Sequence, residues 1–201
     1  MAAYGARSAS LTPMPLYHFS EEPGITRFAP RRAPSSALDD ELVWAIDEWH
    51  QVMYFFPRDC PRACFWPAGF TTSHDRERFM CRADARMVIA VEWAWLDRIR
   101  TTTLYRYTMP HEPFERVSDD DSGHWVSRTP VEPLAGETMH DLLAAIASAG
   151  VELRVTPSLI ELWKAVIQST MEFSGTRLRN AQGWDAVDWS AIPLGPAARP
   201  R

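Results

Sequence analysis

The chain has 201 residues, 46% of them hydrophobic, which suits one domain that buries its core without disulfide or metal staples. A formal net charge of −5 and a pI near 5.7 argue against nucleic acid as a partner, because phosphate contacts need a basic face. No apolar run approaches the ~18 residues of a membrane span, and the N-terminus lacks a signal peptide's apolar centre, so the expected location is the cytoplasm.

In chain order, residues 1–14 are mostly small and polar, with one proline, and read as a disordered leader. Residues 15–181 read as one globular domain, and 182–201 as a docked arm with a frayed end. Leu16 to Phe19 is a short first strand. Residues 20–40 are loop chemistry ("EEPG", "APRRAP", "SSALDD"). "ELVWAIDE", Glu41 to Glu48, is an apolar run between turn signals, the mark of a strand buried on both faces. One helical turn opens "EWHQVMYFFPRDCPR", which Pro57 stops. "RACFW" is another strand, and residues 67–86 read as a loop. "RMVIAVEWAWL" is a strand to about Trp93, "DRIRTT" a bridge, and "LYRYTM" a strand on its aromatic content. "HWVSRTPVEPL" gives two extended pieces broken by Pro130 and Pro133.

The last third turns helical. "ETMHDLLAAIASAG" has Thr138 as an N-cap and Gly150 as a stop. "PSLIELWKAVIQSTMEF" places Leu159, Leu162, Trp163, Val166 and Ile167 at helical spacing and ends at Ser174-Gly175. Strands early and helices late predict an α+β class: a split, mostly antiparallel sheet from the first two thirds, with two C-terminal helices.

Two biases in composition bear on function. There are nine Trp residues, each a large apolar ring with an N–H that needs a partner when buried; such rings fill a core or line a pocket for a flat ligand. The basic residues are nearly all arginine, Lys164 being the only lysine, and an arginine's planar fork holds carboxylates and phosphates in pairs. Cys60 and Cys64 stand four apart in "DCPRAC", but no second Cys/His pair has finger spacing. The cysteines therefore read as reduced thiols and no metal is expected.

Gly-rich phosphate loops, GxSxG and HExxH are all absent. What remains is polar residues on strands. His18 and Ser20, two apart, face the same way, with Tyr17 opposite. Trp44 lies in the second apolar strand and Tyr54 on the segment after it. Ser127 and Glu132 lie in the broken strand region. Arg27, Arg31 and Arg58 sit in loops beside them.

"LYHFSEEPGITRFAPR", "VWAIDEWHQVMYFFPRDCPR", "GHWVSRTPVEPL" and "MEFSGTRLRNA" together resemble a bacterial family of unknown function, over Pro15 to about Ala181. More remotely, "YH", a strand–aromatic–helix unit, "LYRYTM" and "S-x-x-P-V-x-P" resemble the small ADP-ribosyltransferase-like fold of the rifampin-modifying type. That resemblance implies NAD as cofactor, with His18 on a ribose, Trp44 (or Tyr54) stacked on nicotinamide and Glu132 as the catalytic acid. It would place Ser20, Arg31, Arg58 and Ser127 around the cofactor. The prolines flanking Glu132 depart from that pattern, and Asp119, Asp120 or Asp121 could serve instead.

The chemistry of such a site is coherent. Cleaving a nicotinamide–ribose bond builds positive charge on the sugar, which a fixed carboxylate stabilises. A neutral histidine can bond a ribose hydroxyl, and an aromatic face can stack on the pyridinium. A non-catalytic module that takes a peptide or metabolite in the same aromatic-lined cleft, with Glu132 uninvolved, accounts for the same residues. A metal-dependent hydrolase built on His18, His111 and His124 is a third reading. The sequence leaves open whether the chain is catalytic, what the acceptor is and the oligomeric state.

Overall fold

The computed structural model describes residues 14–32, 40–81, 84–117 and 122–198. The expected leader, apart from Met14, and Asp119 to Asp121 lie outside these residues. The described chain is α+β, with two sheets and four α-helices.

In chain order the strands are β1 (Leu16–Ser20), β2 (Arg31–Arg32), β3 (Glu41–Asp47), β4 (Arg62–Trp66), β5 (Met87–Glu92), β6 (Leu104–Met109), β7 (Glu115–Arg116), β8 (His124–Ser127), β9 (Ala135–Met139), β10 (Val151–Thr156) and β11 (Glu172–Thr176). The helices are α1 (Ser73–Met80), α2 (Leu96–Thr101), α3 (Leu142–Ser148) and α4 (Ile160–Ile167). A seven-stranded antiparallel sheet runs β7-β8-β3-β1-β6-β9, with β2 also paired to β3. A four-stranded sheet runs β10-β5-β4-β11, in which only β10 and β5 are parallel.

Alternation along β4 and β5 builds the core. Cys64, Trp66, Met87, Ile89 and Val91 face the first sheet, meeting Tyr17, Ile46, Leu104 and Ile146 of α3. Ala63, Phe65, Val88 and Ala90 face the other way, against Phe79 and Met80 of α1 and Trp163, Val166 and Ile167 of α4. Strands covered on both faces carry unbroken apolar runs, and every residue of β5 is buried. A third cluster, Leu16, Phe28, Val43, Tyr107, Met109 and Phe114, covers the first sheet's outer face.

Several elements differ from the sequence reading. The loop expected over 67–86 contains α1, whose Thr72 hydroxyl accepts from the Asp75 amide at 3.2 Å. Its polar sequence hides the helix, since only Asp75, Phe79 and Met80 are buried. "DRIRTT" forms most of α2. Thr138 lies in β9, and Asp141 is the cap of α3, accepting from Ala144 N–H at 2.9 Å. The last helix stops at Ile167, and "EFSGT" becomes β11 along β4, because an open sheet edge satisfies its backbone groups better than a frayed helix end. After β11, Trp184 and Trp189 stack at 4.1 Å and, with Ile192, pack on the α4 side of the second sheet.

Candidate functional site

The site arises where β1 and β3 part. They pair at Leu16↔Asp47 and Tyr17↔Ile46, and no further. Beyond that point β1 stays with β6, while the far end of β3 pairs with β2. His18 stands at the fork. Its Nδ1–H donates to the Trp44 carbonyl at 2.7 Å, so a side chain replaces the missing ladder bond. A carbonyl only accepts, which fixes the proton on Nδ1 and leaves Nε2 as an acceptor.

The gap opens into a cleft of about 1080 Å³, with β1, β3, the 21–32 loop and the end of β11 as its walls. The first sheet contributes His18, Ser20 and Trp44; Tyr54 and Phe28 add aromatic surface. His18 packs on Phe28 with centroids 4.5 Å apart. Burial pushes the His18 imidazole down to about 4, against the carbonyl bond that raises it, and Arg31 and Arg58 push it further down. The ring is therefore neutral at pH 7. The Trp44 indole N–H is buried and has no hydrogen-bond partner among the described residues. An orphaned buried donor beside an open cleft is a group that a ligand acceptor would satisfy.

The cleft's charge opposes that of the chain. Arg27, Arg31, Arg32, Arg58, Arg62 and Arg177 line it, against Glu21 and Glu22. Arg62 is buried and fixed: its guanidinium donates to the carbonyls of Met53 and Cys60 and lies over the Tyr54 and Phe56 rings. Tyr54 in turn bonds through its hydroxyl to His124 Nε2 at 2.7 Å.

Of the residues singled out from sequence, His18, Ser20, Arg31, Trp44, Tyr54 and Arg58 share this cleft. Glu132 does not join them. It is exposed and lines a neighbouring recess of about 460 Å³ with Tyr105, Tyr107 and Glu137, across the 24–26 segment that borders both. Ser127 is also elsewhere. It is buried at the end of β8, with its hydroxyl donating to the Thr129 carbonyl at 2.9 Å. His111 stacks edge-on with Trp125, whereas His124 bonds to Tyr54 and His18 to the Trp44 carbonyl. Among the described residues, no group of three or more His, Cys, Asp or Glu is placed to hold a metal. None of their helices is long and apolar enough to cross a membrane.

Sequence reasoning missed Arg62, Arg177, Glu21 and Glu22. Arg177 was visible only as part of "SGTRLR", and nothing local connects it to a residue on β1.

The family of unknown function DUF6886 matches residues 17–181. The chain belongs to this family. The match runs from Tyr17, beside the fork, to Ala181, past Arg177, and so takes in both sheets and the whole cleft. No curated protein and no solved structure matches the chain.

Proposed function

We propose that this DUF6886 chain binds a small anionic ligand of the nucleotide class, a planar ring joined to a phosphate-bearing arm, in the cleft between β1 and β3. The observation that carries the reading is the meeting, in an acidic protein, of several arginines with a neutral imidazole acceptor and an unpartnered indole N–H. Arginine forks suit phosphate oxygens, Nε2 of His18 suits a ribose hydroxyl, and the aromatic walls suit a base. NAD is the member of that class implied by the resemblance to ADP-ribosyltransferase-like proteins.

Glycosyl transfer from NAD is the enzymatic form of this proposal. The carboxylate facing the developing sugar cation would then come from Glu21 or Glu22, which line the cleft, since Glu132 lines the other recess. Binding without turnover is the form that needs no such acid.

Titration of the intrinsic Trp fluorescence with NAD, ADP-ribose and adenosine tests the binding. Saturable binding that is lost in His18→Ala and weakened in Trp44→Phe, with both variants folded, supports the cleft. Failure of all three compounds to bind refutes it. Nicotinamide release from NAD separates the two forms: release that survives Glu132→Gln and disappears in Glu22→Gln assigns the enzymatic one.

A further inference from the structure

The two sheets contribute different chemistry to the cleft. The first sheet brings the imidazole, the indole and one arginine pair, Arg31 and Arg32. The second brings the end of β11 and the loop before β4. There, Arg177 Nε donates to the Arg58 carbonyl at 3.3 Å, which ties two segments 119 residues apart. The Asn180 amide donates to the Asp59 carbonyl at 2.7 Å and holds the same loop from the other side. Arg177 itself has φ +54, a left-handed conformation that turns the chain sharply after β11.

Resting on the nucleotide reading above, we propose that this end of the cleft, formed by Arg58 and Arg177 with the Ser174 and Thr176 hydroxyls, is the subsite for the ligand's phosphate or pyrophosphate. The ligand then spans the fork, with its ring against the first sheet and its phosphate on the second.

Three observations converge here. The residues line one continuous cleft with His18. Like charge is concentrated: burial depresses the Arg177 guanidinium, and Arg179, Arg58 and Arg62 depress it further, with Asp59 opposing. A fold that holds arginines close at such a place is relieved by a multiply charged anion. Hydroxyl and guanidinium donors together match a phosphoryl group, which has several acceptor oxygens, better than a single carboxylate. His18, Arg58 and Arg177 line the same cleft of about 1080 Å³, so one ligand can meet both ends.

Calorimetric titration with inorganic pyrophosphate tests the subsite by itself, and adenosine tests the ring end by itself. Pyrophosphate is expected to bind the wild type and to lose about tenfold or more in affinity in Arg58→Met and in Arg177→Met, with adenosine binding unchanged. Arg100→Met, an exposed arginine outside the cleft, controls for net charge. No pyrophosphate binding, or an equal loss in Arg100→Met, overturns the subsite. If adenosine still binds in that case, only the phosphate assignment falls. If adenosine fails while pyrophosphate binds and depends on both arginines, the subsite stands and the ring assignment falls. Should either variant unfold by circular dichroism, the other decides, since Arg58 and Arg177 come from separate segments.

Discussion

His18 and Trp44 are joined across the point where their strands separate. The imidazole Nδ1–H supplies the Trp44 carbonyl with the bond that the β1–β3 ladder no longer provides. One histidine thus ends a strand pairing without leaving an orphaned carbonyl, and lines the cleft that results.

That relationship makes stability depend on pH. The folded imidazole titrates at about 4, against 6.5 for an ordinary histidine. Between these values the unfolded chain binds the extra proton and the folded one does not. The contribution is therefore complete above about pH 6.5 and is lost as pH falls towards 4, by about 3 kcal/mol at most. Denaturant midpoints measured across pH 4–7 should show this slope, and His18→Gln should flatten it. The carboxyls of Asp47 and Asp75 are held below their usual range by hydrogen bonds from His50 and from Thr170 and Thr72, against the burial that raises them, so their loss belongs to lower pH.

Trp44→Phe separates packing from recognition. The substitution removes a buried donor that has no partner among the described residues, so the change in stability should be within about 1 kcal/mol. Ligand affinity should nevertheless fall. Unchanged affinity would make Trp44 a wall and not a contact.

Gly123 packs on the buried Asp47–His50 pair. Asp47 accepts from both the His50 ring, at 2.8 Å, and the His50 backbone N–H, also at 2.8 Å. A Cβ at Gly123 would collide with His50 Nδ1 and the Asp47 carboxylate, in a backbone with φ +77. Gly123→Ala should cost about 2–4 kcal/mol in chemical denaturation, more than an exposed substitution such as Arg100→Met.

Glu92 anchors the C-terminal arm. Its buried carboxylate accepts from the backbone N–H groups of Leu159 and Gln182, each at 3.1 Å. Glu92→Ala strands both donors and should cost about 2–4 kcal/mol. Limited proteolysis should then cut after residue 181 faster than in the wild type.

The thiols should react unequally. Burial pushes Cys60 and Cys64 up to about 12, whereas Cys81 is exposed. A disulfide reagent at pH 8 should modify Cys81 in the folded protein and reach Cys60 and Cys64 only in denaturant. Cys81 caps α1 with φ +47, so Cys81→Gly should abolish the fast reaction and stabilise the chain by up to about 1 kcal/mol.

Local pattern was enough to place the strands at Leu16, Glu41 and Met87 and the helix that starts near Leu159, because alternation, apolar runs and turn residues act within a few positions. It failed where neighbours far along the chain decide the conformation. Glu172 and Phe173 of "EFSGT" read as the end of a good helix, but the open edge of β4 takes the whole segment as a strand. Within the cleft, the sequence by itself determined the chemical types: an imidazole on an apolar strand, a surplus of arginine forks and many indoles. Only the tertiary structure decided that β1 and β3 part at His18, that Arg58 and Arg177 meet across 119 residues, and that Glu132 lines the adjoining recess. Side-chain periodicity is a short-range signal, whereas strand register and the point where a ladder ends are set by all the pairings of a sheet together.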